Sequence, residues 1–399
     1  MTPTVELGYL VLPDAPICYG ILMPGVDTEG GVPVVKVRDY DHGGIDVPNL
    51  LHAAPAVEAP FRRSRLESGD IVMSIRGTTG VIAVVPPELK GANITQDTAR
   101  LRVSCTDRDY LFQALHSPFV QRQIRLHTIG QAVRGINIAA VRRLKIPWPS
   151  RQRRDLLART LNDCDSQLRA IRRLIDAKRA FKRGLMQHLI TGRRRFSEFK
   201  GRPWGKNRLG NLVEPVTRHN ASGVTRVLSA SGEHGLVDQR RYFNRSVASE
   251  DISRYYLLKR GEFAYNRSAM KGYPFGATKR LDEHEEGALS TLYSCFAIKD
   301  ARLDTDYLVH VFESGVLDRQ LRRITRVGGR AHGLLNVTAS EYFGIDIPLP
   351  ELDEQRGIAN VLNVCGHEIE LLKRLQQQAH VEKRALLSSL LAGECAVPA

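Results

Sequence analysis

Two stretches of this chain carry the same apolar rhythm. In the first, Leu157, Leu161, Cys164, Leu168, Ile171 and Ile175 recur at alternating steps of four and three. In the second, Ile358, Leu362, Cys365, Ile369 and Leu372 do the same. Such steps trace the a/d seam of a coiled coil. Each stretch follows a Pro pair, Pro147 and Pro149 or Pro348 and Pro350, that cannot continue a helix backwards. Each ends at a glycine suited to a helix C-terminus, Gly192 or Gly393. The spacing predicts two helices of roughly 40 residues, about 60 Å long at about 1.5 Å per residue. The globular mean is only about 11–12 residues, so each helix needs a partner along its length. An offset of 201 residues superposes the stretches without a gap, from Ile146-Pro147 on Ile347-Pro348 to Gly192 on Gly393. A chain of 399 residues with such an offset reads as two similar halves.

Charge favours pairing of the two helices with each other. Residues 151–195 hold 14 Lys/Arg against four Asp, whereas residues 351–393 hold five basic and six acidic residues. An antiparallel pair brings the acidic start of the second helix near the basic end of the first. The alternative is two amphipathic helices, each packed on its own domain.

Between and before the helices the pattern changes to short β-like runs punctuated by Gly and Pro. Val32–Val37, Ile71–Ile75, Val81–Val85 and Thr98–Val103 predict strands of a mixed β domain. A helix is predicted over Asp109–Arg125 with Leu111, Leu115, Phe119 and Ile124 on one face and a break or kink at Pro118. The expected class is α+β: β-rich domains over 1–150 and 196–350, long helices over 151–195 and 351–393 pairing as an antiparallel coiled coil, and a tail over 394–399. The second domain echoes the first: Lys259–Asn266 answers Glu67–Ser74, and Gly329–Asn336 answers Gly130–Asn137. The halves agree strongly in the helices and weakly in the globular parts. That contrast implies a shared frame carrying two heads of one fold with different surfaces.

The net charge of +15 points to a polyanionic partner, with nucleic acid ahead of an acidic membrane surface. No apolar run reaches the roughly 20 residues of a membrane span, and Met1–Glu6 lacks the order of a signal peptide. The six cysteines are scattered without a C-x-x-C pair, which argues against disulfides and structural zinc and for a reducing cytoplasm. The candidate DNA contacts lie in the heads. Arg76-Gly77-Thr78-Thr79-Gly80 joins two strands, and its Arg76, Thr78 and Thr79 side chains suit phosphate or base edges; an ordinary hairpin turn is the alternative. Arg62, Arg63 and Arg65 form a basic cluster that could equally be a solvated face. Arg134 and Arg330 each sit in one of the two echoed glycine stretches. Arg267, Ser268, Lys271 and Tyr273 belong to a loop mixing basic, aromatic and glycine residues, which alternatively is a structured loop with core aromatics.

No G-x-x-x-x-G-K-[ST], H-E-x-x-H, G-x-S-x-G, G-x-G-x-x-G or Asn-Pro-Pro-aromatic motif occurs. Glu88-Leu89-Lys90 has only a short nuclease-like look, and His332 stands alone beside glycines. A basic chain with two heads and no chemistry of its own reads as a reader rather than an enzyme. The rivals are an unrecognised nuclease or methyltransferase, and a scaffold that binds only protein.

The order of a β-rich domain, an Ile-Pro-x-Pro exit, a long helix ending Lys182-Arg183-Gly184-Leu185-Met186 through Gly192, and then the whole plan again resembles the specificity subunit of type I restriction-modification systems. Leu352-Asp353-Glu354-Gln355-Arg356-Gly357-Ile358-Ala359 looks like that family's helix start. The first helix departs from it with Arg151-Gln152-Arg153-Arg154, basic residues that oppose the macrodipole and could face DNA or an acidic partner surface. The resemblance implies two target-recognition domains, each reading half of a bipartite site in double-stranded DNA. It implies helices that set the gap and dock two modification (methyltransferase) subunits, with restriction (translocase/endonuclease) subunits joining them. S-adenosylmethionine, ATP and Mg are then expected in those partners, with no cofactor, metal or catalytic residue in this chain and no membrane association.

Overall fold

The computed structural model describes residues 2–41, 43–131, 134–232, 234–243, 251–270, 272–327 and 335–392. Two α-helices of the expected length run over Arg151–Ile190 and Leu352–Ala392. The chain divides into two compact units, Met1–Arg173 with Arg374–Ala399, and Leu174–Lys373. Each unit therefore takes a share of both long helices.

The first unit is built on an antiparallel sheet in the spatial order Cys18–Tyr19, Thr98–Leu101, Ile71–Ser74, Ile82–Val84. The alternating side chains of Ile71, Met73, Ala99 and Leu101 enter one core with Tyr110, Leu111 and Leu115. Leu157 and Leu161 of the first long helix join that core, and so does Leu387 of the second. All three are at most 4 % exposed. Asp165 and Lys383 form an ion pair at 2.6 Å beside this seam. The helices thus pair antiparallel within this unit.

The second unit repeats the plan. Its sheet runs Val213–Pro215, Ser294–Ile298, Phe263–Asn266, Ala277–Arg280 in the same order. Where the first core uses Ile71 and Met73, this one uses Phe263 and Tyr265. They stack on Phe296 and Tyr342 with ring centroids 5.3 and 4.0 Å apart. Met186, Leu189 and Ile190 meet Ile358, Ala359 and Leu362 in its core. Lys178 pairs with Glu368 at 2.7 Å, and Arg195 with the fully buried Glu354 at 2.7 Å. The acidic start of the second helix does lie against the basic end of the first.

Contacts invisible in the sequence recur in both units. Tyr110 donates its hydroxyl to the Pro147 carbonyl at 2.6 Å, and Tyr307 donates to that of Pro348 at 3.1 Å. Gln123 exchanges two hydrogen bonds with the Lys145 backbone, and Gln320 does the same with Asp346. The turn into each central strand holds a glycine at positive φ, Gly69 (87°) or Gly261 (85°), followed by an acid. That acid, Asp70 or Glu262, accepts from the backbone of Glu67 or Lys259.

Two expectations need correction. The helix predicted over Asp109–Arg125 does break at Pro118, into Cys105–Leu115 and Pro118–His127, but Phe119 does not share its apolar face. Ser117 caps the second by accepting from the Val120 amide, and Pro118 takes its first turn. The restart rephases the face, so Val120 is buried and Phe119 is 50 % exposed. Arg154 in the first helical turn finds an acidic partner inside its own unit: it pairs with Asp107 at 2.9 Å and lies 4.3 Å over the Trp148 ring. At the equivalent place Gln355 accepts from the Asp304 amide and donates to the Pro350 carbonyl, as Arg154 donates to that of Pro149. A different side chain makes the same dock.

Leu161→Ala and Leu362→Ala each empty a fully buried site. Each should cost about 2–5 kcal/mol, read from urea denaturation. Leu156→Ala, on a residue 39 % exposed, should cost about 1 kcal/mol or less.

Candidate nucleic-acid interface

The hairpin loop and the Arg134 stretch, far apart in sequence, come together. Ser74 anchors the loop by donating to the Thr78 carbonyl at 2.5 Å and accepting from the Val81 amide at 2.8 Å. Gly77 and Gly80 take positive φ, 71° and 82°, which lets the backbone reverse without a Cβ clash. The Gly77 amide donates to the Arg134 carbonyl, and the Ile136 amide to that of Ile75. Arg76 and Arg134 therefore stand exposed on adjoining segments. Arg76 donates to Gln96 at 2.8 Å. Thr78 is exposed, whereas Thr79 is half-buried and shares a 2.9 Å hydrogen bond with Thr128. Arg38, Tyr40, Arg76 and Thr78 line a shallow hollow of about 620 Å³ here.

A second hollow, about 600 Å³, is lined by Arg62, Arg63, Arg65, Arg100, Arg102 and Arg142, with Asp14 and Glu67 as its acids. Three elements build it. The 3-10 segment Ala59–Ser64 presents Arg62 and Arg63. The strand Thr98–Leu101 presents Arg100, with Arg102 two residues on. The helix Ile138–Arg142 closes one side. Tyr19 and Cys18 of the edge strand complete the wall. Burial raises the pKa of the Cys18 thiol above its ordinary value, so it adds no negative charge at neutral pH. Sequence reasoning missed Arg100, Arg102 and Arg142. The period-two spacing of Arg100 and Arg102 was the available signal, since it puts both on one strand face.

Arg65 differs from its neighbours. Its guanidinium makes two 2.7 Å hydrogen bonds to Glu58, which is 1 % exposed and also accepts from Asn93. It acts as the counter-ion of a buried carboxylate. Arg102 is likewise held by Asp70, through two 2.8 Å bonds.

In the second unit the candidate loop folds on itself. Met270 and Tyr273 exchange backbone hydrogen bonds, with Gly272 at positive φ between them. Arg267 is half-buried and donates to the carbonyls of Leu292 and Val337. The Ser268 amide donates to Asn266. Tyr273 accepts from the buried Lys279, whose ammonium also sits 4.5 Å over its ring. These residues brace the loop. Lys271 and Arg330 lie outside the described residues, as does His332. Among the described residues no group of three or more His, Cys, Asp or Glu could hold a metal ion. No described helix is long and apolar enough to cross a membrane.

The fold and these basic surfaces define a class: two like α+β units on paired long helices, each head with its own face. No protein-family profile matches the chain. It is 23 % identical over 187 residues to the type I restriction enzyme EcoBI specificity subunit of Escherichia coli, covering 46 % of this chain and 39 % of that protein. It is 23 % identical over 310 residues to the type I restriction enzyme MjaVIII specificity subunit of Methanocaldococcus jannaschii, covering 72 % of this chain and 70 % of that one. Its fold matches the S subunit of a type I restriction-modification system from M. genitalium with TM-score 0.56 at 12 % identity, over 98 % of this chain and 96 % of the other. A chain from a structure of type I R-M complex assembly and conformational transition matches with TM-score 0.56 at 18 % identity, over 99 % and 98 %. The chain is thus similar in sequence and in fold to type I restriction enzyme specificity subunits.

Arg65→Ala strips the counter-ion from Glu58. Breaking a fully buried pair costs about 3–5 kcal/mol; with Arg65 44 % exposed, about 1–3 kcal/mol is expected, measured by urea denaturation. Hydrogen bonding from Arg65 holds the Glu58 carboxyl below its ordinary pKa. Its stabilising contribution is therefore full above the ordinary carboxylate pKa and fades as pH falls through the depressed one. The gap between wild type and variant should narrow on acidification.

Proposed function

We propose that this chain is the DNA sequence-specificity subunit of a type I restriction-modification complex and carries no catalysis of its own. One observation carries the reading: the same sheet-and-helix head is built twice on shared long helices, while the side chains that fill and cover each head differ. Each head, 1–150 and 196–350, reads one half of a bipartite site in double-stranded DNA. Reading two halves through one chain makes them a single chelating event, so the helices between the heads set the accepted gap. The likeness to specificity subunits supports the same reading.

The helices also dock the partners in this proposal. Within the second unit, Leu174 and Phe181 lie one heptad apart on the first helix and are 45 % and 59 % exposed. Val364 and Leu371 repeat that spacing on the second, at 53 % and 49 %. Exposed apolar positions at regular spacing suit a helix-binding surface. Two modification subunits would sit there and supply S-adenosylmethionine. Restriction subunits would bring ATP and Mg, with the assembly acting on cytoplasmic DNA.

Methylome sequencing tests the reading, comparing a host that expresses this chain and a modification subunit with one lacking the chain. A methylated adenine motif in two parts with a fixed gap, present only with the chain, is expected. No chain-dependent motif from a well-expressed complex would favour a protein scaffold. Inserting one heptad in a long helix should change the methylated gap and leave both half-sites as they were. Phe181→Glu should lower co-purification of the modification subunit at least several-fold without loss of fold.

A further inference from the structure

We infer that the arginine hollow of the first unit is a phosphate clamp that seats a phosphodiester of the DNA backbone; this deepens the reading of the chain as a DNA-binding subunit and rests on it. The carrying observation is Arg100. It is 4 % exposed, yet no carboxylate among the described residues lies within ion-pairing distance of its guanidinium. Inside the protein it donates from Nη2 to the Pro16 carbonyl at 3.1 Å. Its buried Nε has no acceptor. A buried charge is costly unless an opposite charge meets it, and here none is supplied by the described residues.

The neighbours sharpen this. Arg65 and Arg102 are each neutralised by a bidentate carboxylate, Glu58 and Asp70. Glu67 at the rim faces Lys90 at 3.4 Å. Among the described residues the Arg142 side chain donates only to the Ile17 carbonyl, at 3.3 Å. Arg62 and Arg63 are exposed, and their side chains make no hydrogen bond or ion pair among the described residues. The hollow thus keeps an excess of positive charge with open donors at its mouth and an unpaired charge in its wall. Of its two lining acids, Glu67 pairs with Lys90 and Asp14 has no ion-pair partner among the described residues.

Shape selects the ligand. A concave lining receives a group that protrudes from its partner. In duplex DNA the phosphates protrude, while base edges lie on the groove floors. Guanidinium forks match a phosphate bidentately. The clamp fixes the register of the first head and leaves base reading to other loops, of which the Arg76–Gly80 loop is one candidate.

The test uses the intact chain assembled with its modification subunit. Fluorescence anisotropy follows binding to a duplex with the methylated motif and to a scrambled duplex, across a series of KCl concentrations. Arg62→Ala with Arg63→Ala should weaken both duplexes by a similar factor, roughly tenfold or more, and leave their ratio unchanged. The log–log salt slope should become shallower by roughly 1–2, since each phosphate contact contributes about 0.9. Arg62→Lys with Arg63→Lys keeps the charges and should restore the salt slope but only part of the affinity, the rest being the lost bidentate fit; it also separates lost contacts from lost fold. An unchanged affinity and slope in the alanine variant would sink the clamp while leaving the function intact. A collapse of the ratio between duplexes would make the residues base readers and also overturn it. Loss of subunit assembly with normal DNA binding by the assembled fraction would assign the hollow to an acidic protein surface. Displacement of inorganic phosphate from the chain with no effect on duplex binding would assign it to a free anion. A wild-type complex that retains no DNA overturns the clamp and the proposed function together.

Discussion

In a folded protein most of a helix's stability comes from burying its apolar stripe, and a helix of 40 residues has a long stripe to bury. In this protein that requirement is met by the antiparallel seam. Leu157, Leu161 and Leu387 close it in one unit, and Met186, Leu189, Ile358 and Leu362 close it in the other. These leucines belong to the same clusters as the sheet side chains, so the helices and heads share their cores. A head cannot turn freely on its stretch of helix, because rotation would break one continuous packed interior.

The anchoring is repeated polar geometry. Tyr110 and Tyr307 bond the Pro147 and Pro348 carbonyls, and Arg154 and Gln355 reach the Pro149 and Pro350 carbonyls at each helix start. In the first unit the acid opposite the helix start is Asp107, and an arginine answers it with charge. In the second, the Asp304 amide is met by a neutral glutamine. The contact is retained and its chemistry exchanged. A like division applies to the surface arginines. Arg65 and Arg102 serve the interior by neutralising Glu58 and Asp70, while the side chains of Arg62 and Arg63 are exposed and make no ion pair among the described residues. Adjacent residues of one type thus differ in whether they are tied to the interior, according to whether a buried carboxylate lies within reach.

Much of the frame was legible in the sequence. The four–three steps gave both helices, the Pro pairs gave their starts and Gly192 the end of the first (Gly393 lies outside the described residues), and the charge imbalance gave their antiparallel sense, as Lys178 with Glu368 and Arg195 with Glu354 bear out. These are local or periodic signals, and periodicity survives without knowledge of the fold. Within Asp109–Arg125 the break at Pro118 was legible and the face of Phe119 was not, for a local reason: Ser117-Pro118 is a start signal, and carrying one face across it misplaced Phe119.

What the sequence by itself determined is the set of features written in spacing: two long amphipathic helices, a doubled plan, an excess of positive charge and the absence of recognised catalytic motifs. The tertiary structure decided which charges are free. Arg62, Arg63 and Arg65 read alike in a row, and only the fold sets Glu58 against the third of them. Arg100 looked like any strand residue until burial left its guanidinium without a counter-ion among the described residues. The same folding brought Arg134 beside Gly77 and tied Arg267 to the carbonyls of Leu292 and Val337. The free energy of a charged side chain depends on desolvation and on partners remote in sequence. Those quantities exist only once the chain has closed on itself.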